Sequence, residues 1–280
     1  MKRLDSLEKL DDFRQSVGTN SLGFVPTMGA LHEGHLSLIR LAQEHCDLVL
    51  ASIYVNPTQF NNPEDLAKYP NTLEADLAAL EAQGCDAVFL PDAQMLYPEG
   101  LKSRVFDFGL LACTMEGKGR PGHFEGMATV VTKFFELVKP HKAFFGEKDF
   151  QQLSIVQQVV EQEQWPVEIV PGDIVREESG LAMSSRNLRL SAIERVAASN
   201  IYRVLTENAN RVGDFESPEA WIEACVKEIN RVEELEVEYV AICDVKTLQP
   251  VAELDPRIPA RAFAAVMCGN VRLIDNVPLF

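Results

Sequence analysis

LGFVPTMGALHEGHLSLIR, residues 22–40, changes character twice over a short span. Its apolar lead Leu22-Gly23-Phe24-Val25 predicts a short buried strand. The run from His35 onward carries Leu38, Ile39, Ala42 and Cys46 along one face and predicts a helix. Between them Pro26, Gly29 and Gly34 break the periodicity, and glycine lets the backbone approach a ligand because no side chain holds it off. A strand entering a helix through such a turn leaves unpaired N–H groups at the helix start, which attract anions. His32 and His35 stand at i and i+3 of this junction, near one side of the first turn. The positive end of the helix disfavours imidazolium, so two neutral rings, each donating one N–H to a phosphate, are expected. The spacing fits neither the H-E-x-x-H of a helical zinc site, nor a P-loop, nor a G-x-G-x-x-G fingerprint.

Outward from this corner the pattern repeats. Residues 48–55 are almost continuously apolar, as in a central parallel strand covered on both faces. They stop at Asn56-Pro57-Thr58-Gln59-Phe60, the kind of strand end where open α/β sheets bind ligands. A loop over 61–70, a helix over 73–83 and a turn, strand and stop over 84–91 follow; 105–108 reads as a shorter strand. A helix over 126–139 ends at Pro140, and the apolar residues 143–145 run into Gly146-Glu147-Lys148-Asp149 and another helix on Leu153, Val156, Val159 and Val160. This second corner copies the first. A strand over 167–170 closes at Pro171-Gly172, and residues 4–17 read as a surface helix on Leu4, Leu7, Leu10, Phe13 and Val17. The expected fold is α/β: a Rossmann-like parallel sheet domain over 1–176, then a smaller C-terminal α+β lid domain over 177–280. In the second, helices at 191–208 and 217–231 precede strands at 235–243, 262–267 and 271–274.

With 42 acidic against 26 basic residues, the net charge of −16 argues against a nucleic-acid binder and makes each local cluster of cations informative. CTMEGKGRPGHFE, residues 113–125, reads as a loop too polar for the core, with Lys118, Arg120 and His123 as its positive charges. EESGLAMSSRN, residues 177–187, offers Ser184, Ser185 and Arg186. His32, His35, Lys118 or Arg120, Lys148 and Arg186 suit phosphoryl or nucleotidyl transfer, where stabilising charge on phosphate oxygens outweighs a covalent nucleophile. Gln59 and Gln152, neutral and amphoteric, suit a carboxylate or hydroxyl. The six cysteines form no C-x-x-C pair, and Cys46, Cys85, Cys243 and Cys268 read as small core residues of a reducing compartment. The N-terminal MKRLDSLEKLDDF lacks the apolar core of a signal peptide and no run reaches membrane-spanning length, so a cytoplasmic location without membrane partners is expected.

Five motifs, PTMGALHEGH at 26–35, YVNPTQF at 54–60, GRPGHFEG at 119–126, FFGEKDFQQL at 144–153 and MSSRN at 183–187, resemble the pantothenate synthetase family, of the H-x-G-H nucleotidyltransferase type. The resemblance runs through the whole chain in order. It implies an ATP-dependent ligase that attacks the ATP α-phosphate with the pantoate carboxylate, releases pyrophosphate, and then transfers the pantoyl group from AMP to beta-alanine. Carried over residue by residue, His32 and His35 would contact ATP phosphates, as would Lys148 and Arg186 with Ser184 and Ser185. Gly146 and Asp149 would lie along the ribose, and Val175 and Met28 would count among the nucleotide-binding residues. Gln59 and Gln152, helped by the backbone around Met28, would hold pantoate, and Arg120 and Tyr69 would line the site. Magnesium would bridge phosphate oxygens, no metal would be held by the protein alone, and a homodimer through the N-terminal domain is implied. Phe150 replaces a tyrosine of some relatives and reads as a packing position. The rival readings are a nucleotidyltransferase acting on a phosphorylated acceptor, which leaves the glutamines idle, and a nucleotide-binding regulator without chemistry.

Overall fold

In the computed structural model, which describes residues 1–280, the chain divides into two compact units. The first comprises residues 1–108, 120–147 and 152–173; the second comprises 109–119, 148–151 and 174–280.

The first unit is a six-stranded parallel sheet in the order β1-β4-β3-β2-β5-β6. Its elements are β1 (Lys2–Leu4), α1 (Leu7–Val17), β2 (Leu22–Thr27), α2 (Glu33–His45), β3 (Leu48–Ile53), α3 (Pro63–Ala67), α4 (Leu73–Ala82), β4 (Ala87–Phe89) and α5 (Ala93–Leu96). In the second unit α6 (Met115–Gly119) intervenes, and the sheet then resumes with α7 (His123–Val138), β5 (Lys142–Gly146), α8 (Phe150–Gln162) and β6 (Glu168–Gly172). Phe24, Val25, Leu50, Ala51, Val88 and Phe144 are fully buried, which is why these strands read as unbroken apolar runs. The strand order reverses between β2 and β5, so the crevice beyond their carboxyl ends is the topological switch point. Both corners singled out in the sequence, after Thr27 and at Gly146, stand there.

Several local expectations are corrected. Leu4 belongs to β1 rather than to a helix from residue 4, because Ser6 caps α1 by accepting the Lys9 N–H. Pro26 lies within β2; the β2–β5 ladder is confined to Gly23 and Phe24, so no donor is needed from Pro26 towards β5. Pro171 and Gly172 likewise continue β6, an edge strand, where a missing N–H is tolerated. Residues 63–67 form a helix capped by Asn62 inside the expected loop. Residues 105–108 form no strand, since side chains bind the backbone around them: Thr129 accepts the Arg104 N–H and Gln162 donates to the Asp107 carbonyl. Cys46 is only partly buried.

The second unit is a three-stranded antiparallel sheet of β7 (Leu235–Asp244), β8 (Ala260–Cys268) and β9 (Val271–Pro278), with α9 (Ala192–Ala209) and α10 (Pro218–Ile229). Strand alternation sends Ala262, Ala264 and Val266 into one core with Trp221, Cys225 and Ile201. Phe263 and Cys243 enter another with Met115, Leu248, Leu111 and Phe150. The excursions 109–119 and 148–151 therefore supply a second apolar layer of this unit. Glu116, buried where the sequence reads as a polar loop, receives the Arg272 guanidinium at 2.8 Å on both oxygens and the Tyr239 hydroxyl at 2.9 Å. Burial and the Glu116 carboxylate push the Tyr239 phenol well above its ordinary range. Arg272 keeps its charge against burial through hydrogen bonds to Glu116 and Glu238.

Candidate functional site

His32 is the N-cap residue of α2 and His35 its third helical residue, so both rings meet at the helix start with centroids 4.0 Å apart. His35 Nδ1 accepts the His32 backbone N–H at 3.3 Å. A neutral ring accepting at Nδ1 carries its proton on Nε2.

The turn leading to this pair is held by a residue the sequence reading passed over. Asp76 of α4 is 3 % exposed, and its carboxylate accepts the Ala30 N–H at 2.9 Å, the Leu31 N–H at 2.7 Å and the Thr72 hydroxyl at 3.1 and 3.2 Å. Gly29 adopts φ +77°, and a Cβ there would stand 3.0 Å from Asp76 Oδ2 and 3.1 Å from Ile53 Cγ2. The positive φ calls for glycine, and a side chain there would also press on Asp76 and Ile53. Thr27 completes the turn, donating to the Ser52 carbonyl at 2.7 Å and accepting the Gly29 N–H at 3.2 Å.

Gln59, expected at the end of β3, is buried and its Nε2 lies 3.1 Å from Met28 Sδ. Asn56 Nδ2 donates to Gln59 Oε1 at 3.0 Å and to the Gly126 carbonyl at 3.1 Å, while the Tyr97 hydroxyl donates to Asn56 Oδ1 at 2.8 Å. Burial raises the Tyr97 phenol, so it remains a donor. His123 is 7 % exposed rather than part of a positive loop. Its Nδ1 must donate to the Gln59 carbonyl at 2.8 Å, so its Nε2 can accept from Arg120 Nη1 at 3.1 Å. Both contacts describe a neutral ring, and the cation of this segment is Arg120, with Lys118 exposed. Residues 123–138 form one helix, and its Gly126 packs on the backbone of Thr58, where any Cβ would collide. Tyr69 packs edge-on against Phe60 with centroids 5.7 Å apart, and Gln152 is half-buried in α8. At Gly146 an added Cβ would meet no protein atom within 4 Å, so protein packing does not demand this glycine.

In the second unit Lys148 Nζ stands 3.7 Å from Asp149. Phe150 packs against Phe263, centroids 5.8 Å apart. Met183 donates its N–H to the Val175 carbonyl at 3.0 Å, and Ser184 caps a single turn over Ser185–Arg189 by accepting the Arg186 N–H. Ser185 is buried and Arg186 half-buried. The residues grouped by sequence thus fall into two sets: Met28, His32, His35, Gln59, Tyr69, Arg120, Gly146 and Gln152 in the first unit, and Lys148, Asp149, Val175, Ser184, Ser185 and Arg186 in the second. Nowhere do three or more His, Cys, Asp or Glu side chains gather to hold a metal ion. No helix is long and apolar enough to cross a membrane.

The Pantoate-beta-alanine ligase family profile matches residues 2–278. A pantothenate synthetase of Porphyromonas gingivalis is 48 % identical over 257 residues, covering 92 % of this chain and 91 % of its own. The crystal structure of pantothenate synthetase from Thermus thermophilus superposes with TM-score 0.93 at 41 % identity, over 100 % of both chains. That of pantoate-beta-alanine ligase from Francisella tularensis, complexed with beta-gamma ATP and beta-alanine, gives TM-score 0.85 at 36 % identity, over 100 % of this chain and 98 % of its own.

Proposed function

The chain belongs to the pantoate-beta-alanine ligase family, and on that premise we propose that it forms pantothenate in two steps through a pantoyl adenylate. A pantoate carboxylate oxygen attacks the α-phosphorus of ATP, and the bond from that phosphorus to pyrophosphate breaks. The beta-alanine amine then attacks the pantoyl carbonyl carbon, the bond to AMP breaks, and the amine proton passes to phosphate or water. The observation that carries this reading is the histidine pair at the start of α2, set at the switch point of the sheet.

The first step needs no general base, since the carboxylate is already ionised. It needs alignment and relief of repulsion between two anions. His32 and His35, at the positive end of α2, are assigned to the phosphates as neutral donors. Lys148 and Arg186, with Ser184 and Ser185, are assigned to the same oxygens; the planar fork of Arg186 suits a polyphosphate. Gly146, Asp149, Val175 and Met28 are assigned to the nucleotide. Gln59 and Gln152 are assigned to pantoate, and neutral amides bind it without adding charge beside the attacking oxygen. Arg120 and Tyr69 are assigned to the lining. Magnesium, when bound, would neutralise charge on the triphosphate; the chain offers no cage of its own for it, and no step here is routed through it. Assembly as a homodimer and a cytoplasmic location belong to the same proposal.

The test is AMP formation with each substrate withheld in turn. AMP and pantothenate should appear in equal amounts, and neither when pantoate is absent. Pyrophosphate should exchange into ATP with pantoate alone, before beta-alanine is added. ADP as product, or exchange that requires beta-alanine, overturns the two-step reading.

A further inference from the structure

Two hydrogen-bonded threads meet at neighbouring residues of β9. Asp275, buried, accepts both arms of the Arg176 guanidinium at 2.7 and 2.8 Å, and Arg176 lies over the Tyr202 ring, 3.6 Å from its centroid. The same guanidinium donates to the carbonyls of Gly180 at 3.1 Å and Asn276 at 3.3 Å. Asn276 is 2 % exposed, and its neighbours settle which way its amide points. Its Oδ1 accepts from Arg261, itself 4.5 Å from the Phe150 ring centroid, so Nδ2 is left to donate, and it does so to the Lys148 carbonyl at 3.0 Å.

One strand therefore holds two separate stretches of chain. Asn276 fixes the backbone of the turn that bears Lys148. Arg176 pairs with Ala182 across a short hairpin, with Val175 on one side of it and Met183, Ser184, Ser185 and Arg186 on the other. A bidentate ion pair stacked on an aromatic ring adds to the backbone hydrogen bonds of that hairpin and ties it to β9.

We infer that Asp275 and Asn276 are positioning residues for the triphosphate: β9 sets where the Lys148 ammonium and the Arg186 guanidinium originate. The inference rests on the assignment of those two cations to phosphate oxygens. A lysine on a turn reaches its target through a flexible stem, so a small drift of its backbone becomes a large loss of aim, and a misplacement of about 1 Å costs on the order of 100-fold in rate.

Asn276→Asp tests it, because the variant keeps the acceptor for Arg261 and turns the donor into an oxygen aimed at the Lys148 carbonyl. Affinity for a non-hydrolysable ATP analogue should fall about tenfold and affinity for adenosine by clearly less, since adenosine carries no phosphate for the lysine and senses the shift only through Asp149 beside it. In a Lys148→Ala background the same substitution should cost nothing further, a non-additivity that general loosening of the fold would not produce. Equal loss of analogue and adenosine binding, or full additivity, overturns the inference. Should Asn276→Asp fail to fold, Arg176→Lys carries the test in an Arg186→Ala background, with the same pattern expected. If Lys148→Ala itself binds the analogue like the unsubstituted protein, the assignment of Lys148 fails. If Lys148→Ala loses affinity and Asn276→Asp keeps it, only the role of Asn276 fails.

Discussion

Asp76→Asn is the most discriminating single substitution in the first unit. The two carboxylate oxygens divide their work: Oδ1 takes the Leu31 N–H at 2.7 Å and Oδ2 the Ala30 N–H at 2.9 Å, with the Thr72 hydroxyl between them. An amide of the same shape has one oxygen, so one of the two backbone donors must face an NH2 group. A hydrogen bond to a charged acceptor contributes about 1.5–3 kcal/mol, and leaving a buried donor unsatisfied costs a similar amount. The surviving bonds also weaken by roughly half when the acceptor loses its charge. The total is about 3 kcal/mol, concentrated on the turn from Gly29 to Leu31.

Where that cost falls decides the functional outcome. If half of it is expressed as local opening of the turn, the ratio of open to closed turn rises about tenfold, and His32 and His35 spend that much more time out of place. Turnover should therefore fall, by at most about tenfold, while the denaturant midpoint drops by an amount equivalent to the other half, about 1.5 kcal/mol. Steady-state pantothenate formation and urea titration of the same preparation measure both. Unchanged turnover in a variant with an unchanged midpoint would refute the account of Asp76 as the anchor of the histidine corner.

His32→Ala and His35→Ala should each slow pyrophosphate release on mixing with ATP and pantoate by about 100-fold, the loss typical of one transition-state donor, with circular dichroism unchanged. Equal burst rates in variant and unsubstituted protein would remove the assignment. Gln152→Ala should weaken pantoate binding and leave ATP titration unaltered. Gly126→Ala forces a Cβ into the Thr58 carbonyl, and should cost about 1–3 kcal/mol of stability together with pantoate affinity, read by denaturation and by calorimetry. Burial raises the Cys85 thiol from its ordinary 9.0 to about 11 and the Cys225 thiol to about 12. Above about pH 9 the unfolded chain releases these protons and the folded chain retains them, so stability should be complete below that pH. It should then fall by about 1.4 kcal/mol per thiol per pH unit until each folded value is passed. A flat stability profile between about pH 9 and 11 would contradict that burial.

What could be read from the sequence follows from the range of the interactions. The β2–α2 corner is legible because apolar runs, a broken period and a helical stripe all lie within residues 22–42, and local pattern determines local structure there. The failures share the opposite property. Asp76 looks like any acid on a helix, and nothing nearby announces that its partners are backbone groups 45 and 46 residues upstream. The Arg176–Asp275 pair joins residues 99 apart. His123 reads as a charge beside Arg120 and Lys118, yet burial against the Gln59 carbonyl makes it a neutral relay. Prolines 26 and 171 look like strand stops because sequence does not reveal which flank of a strand lacks a partner.

An excess of sixteen acidic residues is on its face ill-suited to binding a triphosphate and a carboxylate. Part of the resolution lies in how two buried acids that hold the site-bearing turns are occupied. Asp76 spends its charge on two backbone N–H groups and a hydroxyl, and Asp275 on a bidentate arginine, so neither projects an unshielded negative field. Most of the remaining acids lie on exposed surface, where salt screens them beyond about 8 Å. Lys148 forms an ion pair with Asp149 at 3.7 Å, and that carboxylate is exposed and itself assigned to the nucleotide. On this view local pairing decides affinity for the anion and net charge does not. Asp275→Asn should then weaken binding of an ATP analogue through loss of the Arg176 anchor even though it removes a negative charge. An electrostatic reading based on net charge requires tighter binding, and titration at low and physiological salt decides between the two.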